Sequence, residues 1–189
     1  VRTDAASIWA TGVTWWQVPP VAKVLLRGKL AAGVTGKDVI IALCGLFNHD
    51  EVLNHAVEFL GDGVAALSMD ARMTISNMTT EWGALAGLFP FDEVTVGYLK
   101  SRATTFAGDR RPGTRSEKSR SGYSLAQIDA WWKDRANLTA DTDASYAIEL
   151  ELDLSTVVPH VSGPNEVKTM VSLPDMEAKQ IPIQKAYLL

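Results

Sequence analysis

The chain has 189 residues, 47% hydrophobic and 21% charged, and this composition excludes a disordered tail, a collagen and a coiled coil. Its 18 basic and 22 acidic residues give a net charge of −4, which excludes a molecule that coats nucleic acid or an anionic membrane with its whole surface. The single cysteine, Cys44, excludes an internal disulfide framework, and no apolar run approaches the ~20 residues that a membrane-spanning helix needs.

The first third of the chain predicts a strand–helix–strand pattern. Pro19 and Pro20 exclude a helix directly before residue 21, and Thr35 is a typical N-cap for the strongly apolar segment that follows it. The expected elements are a helix at 5–11, a strand at 21–30, a helix at 36–48, a short helix at 50–54 and a strand at 56–60.

The rest of the chain predicts three further helices, a polar loop and two strands. Ser68 and Ser124 are typical N-caps. Residues 148–154 alternate apolar and acidic side chains, which is typical of an edge or antiparallel strand with one solvated face. The expected elements are helices at 69–86, 92–102 and 124–136, a basic surface loop at 104–122, and strands at 148–154 and 181–189.

This order of strands and helices predicts an α/β fold, with helices packed on a mixed β-sheet. Pro159 and the turn at 162–164 indicate a boundary, so we expect an α/β domain at 1–157 and the lead-in to a following domain at 158–189. Because the chain starts without methionine and stops inside an apolar run, we also expect it to be an internal segment of a longer polypeptide.

The chemically informative residues are Asn77 and Glu81, which share one face of the long predicted helix at a separation of about 6 Å. A glutamate can exchange a proton with a substrate hydroxyl, and an asparagine offers a fixed donor and acceptor. The pair alone is more typical of an exposed polar helix surface, but the small residues that follow favour a cleft. The same helix carries one stripe at helical spacing: Met69, Met73, Ser76, Thr80 and Ala84.

Residues 100–120 carry seven basic and two acidic side chains, which concentrates positive charge in the predicted loop. Such a loop could bind phosphate or nucleic acid, with Arg110, Arg111 and Arg115 at its centre. Only Phe106 and Tyr123 offer aromatic stacking, so a solvated insertion is the better interpretation, and we expect no nucleic-acid partner.

The other reactive or aromatic residues are predicted to have structural roles. The sequence contains no Gly-rich phosphate loop, no His-Glu-x-x-His and no Gly-x-Ser-x-Gly motif, so nucleotide, zinc and simple hydrolase functions lack support. We expect Cys44 to be a buried, inert thiol and the three histidines to be structural. In each of the pairs at 15–16 and 131–132, at least one tryptophan is expected in the core.

Residues 73–90 (MTISNMTTEWGALAGLFP) resemble the aconitase superfamily of iron–sulfur hydro-lyases, as do residues 33–40 (GVTGKDVI) and 161–165 (VSGPN). The resemblance covers essentially the whole chain. It implies an aconitase-like α/β/α domain and an enzyme that binds a [4Fe-4S] cluster and a small tricarboxylate. Within the superfamily, residues 79–85 and 146–150 are more similar to the fungal homoaconitase branch than to the aconitase or 3-isopropylmalate dehydratase branches.

That branch implies a mitochondrial enzyme that hydrates homoaconitate to homoisocitrate in lysine synthesis through α-aminoadipate. One iron of the family's cluster binds the substrate hydroxyl and carboxylate as a Lewis acid. The resemblance places Glu81 at the hydroxyl that leaves or enters at the iron, and Asn77 in a hydrogen bond beside the cluster.

The resemblance also implies that much of the catalytic machinery lies outside these 189 residues. The family's Asp-Ser-His segment, its cluster cysteines and its substrate-binding arginines have no counterpart here, and Cys44 matches none of them. We therefore expect the remaining domains of the same chain to be the partners of this one. We also expect the isolated chain to hold no cofactor and no metal ligand, and to be inactive.

Overall fold

The computed structural model describes residues 2–108 and 123–187. Within these residues, the helices are α1 (Arg2–Thr11), α2 (Gly36–Leu46), α3 (Met69–Trp82), α4 (Glu93–Gly108), α5 (Leu125–Lys133) and α6 (Leu173–Ala178). The strands are β1 (Val21–Arg27), β2 (Ala56–Leu60), β3 (Ala86–Leu88), β4 (Ile148–Asp153), β5 (His160–Ser162) and β6 (Met170–Ser172).

The larger sheet has four strands in the order β3-β2-β1-β4, and its three strand pairs are all parallel. Strands β5 and β6 form a separate antiparallel pair. The expected α/β class is confirmed. The two strand directions, however, are divided between two sheets and are not mixed in one.

The hydrophobic core lies between this sheet and helices α2 and α3. Along β1, alternate residues are fully buried, as expected when one face of a strand carries the core. Their neighbours in the core come from α2, from β2 and from α3, including Leu43, Phe59, Ile75 and Trp82.

Local capping explains why α2 begins where the sequence predicts. The backbone N–H and the hydroxyl of Thr35 both donate to Asp38 Oδ2 at 2.8 Å, which satisfies a donor that the helix end leaves unpaired. The second oxygen of Asp38 accepts the backbone N–H of His160 at 3.0 Å. The start of α2 is thereby joined to the β5–β6 pair.

Three sequence-based elements differ in the structure. Residues 50–54 form turns instead of a helix, and Asp50 and Asn54 have positive φ values of 63° and 59°. The helix expected over 69–86 ends at Trp82, and Ala86 is already the first residue of β3. Residues 181–187 form no strand, and both isoleucines of this segment are exposed.

The region around the basic loop is only partly described. Helix α4 continues to Gly108, six residues beyond its expected end, and the helix expected over 124–136 divides into α5 and a 3-10 turn at Arg135–Leu138. Residues 109–122, with Arg110, Arg111 and Arg115, lie outside the described residues. In the parts that are described, no helix has the length and hydropathy required to cross a membrane.

Candidate active site

Asn77 and Glu81 both lie on the solvent-exposed face of α3. The opposite face of this helix is buried and consists of Arg72, Ile75, Met78, Thr79 and Trp82. The stripe at helical spacing from Met69 to Ala84 does not coincide with this buried face, since Met73 and Thr80 are exposed. Neither Asn77 nor Glu81 is sealed within the domain, so both side chains can face a cavity that other parts of a protein complete.

The end of α3 is fixed immediately after Glu81. Gly83 adopts the left-handed conformation, with φ of 106°, and its N–H donates to the carbonyl oxygens of Thr79 and Thr80. This is the conformation that favours glycine at a helix C-terminus. Trp82 is fully buried, and its Nε1–H donates to the carbonyl oxygen of Phe47 at 2.7 Å. The two residues after Glu81 therefore hold its helical turn in place.

Strand β3 presses closely on the same helix. A Cβ atom on Gly87 would lie 3.0 Å from Cα of Ser76 and 2.9 Å from Cγ2 of Thr79. Glycine is therefore required for this approach of strand and helix. Ser76 and Thr79 flank Asn77, so the contact also sets the position of the turn that carries the candidate site.

The first half of α3 is held by a buried ion pair. Arg72 is 1% exposed, and its two Nη atoms each donate to one carboxylate oxygen of Asp92 at 2.7 Å. Nη2 also donates to the carbonyl oxygen of Val64 at 2.9 Å. Burial alone would raise the pKa of Asp92, but hydrogen bonds from Arg72 and Thr95 hold it below its ordinary value of 3.8.

The candidate site lies at the edge of the sheet where the parallel strands begin, because α2 and α3 run back to that edge. Three exposed leucines surround the end of α3 there. Leu53 lies against Gly83, Leu85 donates its N–H to the carbonyl oxygen of His55 at 2.8 Å, and Leu46 precedes Phe47. Two polar functional groups thus sit beside exposed apolar side chains, which is typical of a surface that another part of a protein covers.

Cys44 is a buried thiol, as the sequence predicts. Burial, with a smaller effect from the negative charge of Glu81, raises its pKa to about 11. A metal-binding cysteine must be a thiolate, so this residue does not suit an iron ligand. Across the described ranges, no group of three or more His, Cys, Asp and Glu side chains is arranged to hold a metal ion.

The structure also contains a polar cleft that sequence reasoning missed. It has a volume of about 460 Å³ and is lined by Gly45, Asn48, Glu166, Lys168, Thr169 and Met170. Lys168 is already paired with Asp50 at 2.6 Å, which raises the pKa of the lysine. Since 118 positions separate the two charges, no local pattern in the sequence indicates this pair.

The remaining sequence-based candidates do not form a site. The Nδ1 atom of His55 lies 2.9 Å from the carbonyl oxygen of Leu53, a local contact that fits a structural histidine. The expectation that Trp15 or Trp16 lies in the core is wrong, because both are exposed. Trp131 and Trp132 are half-buried, and they contact Tyr123 and Phe91 through their ring edges.

A known protein family matches nearly the whole chain. The profile of the aconitase family (aconitate hydratase) matches residues 1–187. The mitochondrial homoaconitases of Aspergillus oryzae, Yarrowia lipolytica and Candida albicans are 56%, 58% and 53% identical to this chain. Each alignment covers 100% of this chain but only 24%, 26% and 26% of the relative, so the chain spans about a quarter of their length. The chain belongs to the aconitase family.

Proposed function

We propose that this chain is one α/β domain of a mitochondrial homoaconitase, with residues 158–189 leading into the next domain, and that α3 supplies one wall of the active site. The full-length enzyme would hydrate homoaconitate to homoisocitrate in the α-aminoadipate route to lysine. The supporting observation is the identity of 52–58% between the whole chain and proteins named mitochondrial homoaconitase.

The chemistry assigned to this chain rests on Glu81 and Asn77. In a hydration, the oxygen of water bonds to one carbon of the double bond, and the proton that this water loses goes to a base. Glu81 is that base in the proposal, and in the reverse direction it returns the proton to the departing hydroxyl. The hydrogen on the second carbon must come from a group outside this chain. Asn77, one turn earlier on the same face, orients the reacting groups by hydrogen bonding without a change of charge.

The family's [4Fe-4S] cluster would supply a Lewis acid that binds the hydroxyl and a carboxylate of the substrate. Cluster irons are held by cysteine thiolates, and the one cysteine of this chain is a buried thiol with a raised pKa. The described residues therefore do not suit the role of cluster ligands. We assign the cluster to other regions of the full-length protein and expect the isolated chain to be inactive.

The proposal is tested by Glu81→Gln in the full-length enzyme. Glutamine keeps the size of the side chain but cannot take up a proton, so kcat for homoaconitate should fall about 100-fold or more while the fold is retained. The matched control is Glu93→Gln, which neutralises an exposed carboxylate at the start of α4. If the two variants retain equal activity, the pair on α3 is only a polar surface.

The substrate assignment has its own test. The wild-type full-length protein is assayed on homoaconitate, cis-aconitate and 3-isopropylmalate under identical conditions. A higher kcat/KM for homoaconitate than for the other two supports the proposal. A preference for either of the others would place the chain in another branch of the family.

A further inference from the structure

The segment before β1 exposes an unusual amount of apolar surface. Trp9, Trp15 and Trp16 are 89%, 97% and 67% exposed, and Val13 and Val18 are also exposed. Tryptophan side chains are normally buried in large part, so three exposed rings within eight positions indicate a surface that is covered in the working protein.

The charge pattern of this segment agrees with burial. Residues 5–20 contain no Asp, Glu, Lys, Arg or His. A stretch of this length that stayed in water would normally carry charged side chains, since these are the residues that prefer the surface. The family profile matches from residue 1, so the segment is part of the family's own domain.

The end of the segment is fixed to the sheet by a backbone hydrogen bond. The carbonyl oxygen of Pro20 accepts the N–H of Ala56 at 3.0 Å, which anchors the segment to the sheet at β2. Pro19 and Pro20 restrict φ and stiffen the chain immediately before that anchor. Trp15 and Trp16 are adjacent in a stretch without regular secondary structure, and the side chains of both are exposed. Exposed apolar side chains extend from Ile8 to Val18, so a region that covers them must reach along the whole segment.

We propose that residues 8–18 are received in a groove formed by a region of the same polypeptide outside these 189 residues. This inference rests on the proposed function, in which the chain is one domain of a longer enzyme. The relatives support this occupant, because they match the chain through this segment and are about four times as long. A segment with no charge requires an apolar groove, and its contacts do not involve the chemistry at Glu81.

The test is oxidative footprinting of the full-length protein, with the labelling of each tryptophan measured by mass spectrometry. The internal standard for burial is Trp82, which is fully buried, and the standard for exposure is a synthetic peptide of residues 5–20. We expect Trp15 and Trp16 to lose nearly all labelling, to the level of Trp82. Labelling at the rate of the peptide would overturn the proposal.

Dilution distinguishes the occupants. Protection that persists when the full-length protein is monomeric supports a groove within one polypeptide. Protection that disappears on dilution identifies a second copy of the protein. Protection that requires lipid vesicles identifies a membrane. Either result overturns the proposal. Because labelling is independent of turnover, a protein that protects both rings but does not hydrate homoaconitate would contradict only the proposed function.

A pair of variants gives a second measurement. Trp15→Ala should lower the thermal midpoint of the full-length protein, whereas Asp143→Ala, at an exposed position outside this segment, should leave it unchanged. Equal midpoints would contradict the groove.

Discussion

The buried ion pair between Arg72 and Asp92 holds the first half of α3, and Arg72→Met measures its contribution to stability. Methionine fills much of the same volume but leaves Asp92 without its bidentate partner and the carbonyl oxygen of Val64 without a donor. Breaking a buried pair in this way costs 3–5 kcal/mol in other proteins. Asp92 keeps 22% exposure and a 3.1 Å bond from the N–H of Thr95, so we expect the lower limit, about 3 kcal/mol.

The assay is urea and thermal unfolding of the 189-residue chain. A loss of this size corresponds to roughly 6–12 °C in the thermal midpoint of a chain of this length. The control is Arg27→Met, which breaks an ion pair with Glu151 whose two side chains are 53% and 55% exposed. Such surface pairs contribute at most about 1 kcal/mol.

Acid provides an independent check. The pKa of Asp92 is lowered in the folded state, so its contribution to stability is complete well above 3.8 and is lost as the pH falls through the lowered pKa. The difference in unfolding free energy between wild type and Arg72→Met should therefore stay constant near pH 7 and narrow once the pH falls below 3.8. If Arg72→Met lowers the free energy of unfolding at pH 7 no more than Arg27→Met does, the pair of Arg72 and Asp92 does not hold α3 in place.

Two further predictions concern packing and reactivity. Gly87→Ala should lower the free energy of unfolding by about 1–3 kcal/mol, because the added Cβ meets the backbone of α3, whereas Gly97→Ala should raise it by about 0.5–1 kcal/mol, since nothing lies within 4 Å of that Cβ in helix α4. Urea unfolding of both variants tests these two expectations. Equal changes in the free energy of unfolding would contradict the close approach of β3 and α3 at Gly87. Cys44 should not react with a thiol reagent at pH 8 until the chain is unfolded, because its thiol is buried and its pKa is raised to about 11; rapid reaction of the folded chain would show that the side chain is accessible.

Several elements could be predicted from sequence because a local signal determines them. Ser68 caps α3, with its side chain accepting the N–H of Ala71, and the capping pattern of Thr35 and Asp38 starts α2. Strand β4 is recognisable from its alternation, and its position at the edge of the sheet agrees with its acidic outer face. In each case the residues that specify the element lie within or beside it.

The sequence-based predictions fail where contacts between distant parts of the chain determine the local structure. β3 has only three residues, and it becomes a strand by pairing with β2 and packing on α3. The local sequence pattern alone therefore predicts helix at 84–86. The buried face of α3 has no clear sequence signal, because it contains Arg72, a charged residue that is buried in an ion pair with the distant Asp92. The shared face of Asn77 and Glu81 was predictable from their spacing, whereas the exposed leucines near the end of α3 come from three separate parts of the chain.

The order of strands has a consequence for synthesis of the protein. β1 lies in the centre of the sheet, and one of its two neighbours is β4, so that Leu26 pairs with Leu152, 126 positions later. Leu152 and Leu154 also complete the core. A nascent chain that has left the ribosome only as far as α5 thus presents an open strand edge and uncovered hydrophobic side chains. Its need for chaperones should be greatest in that interval and should decrease once β4 has emerged.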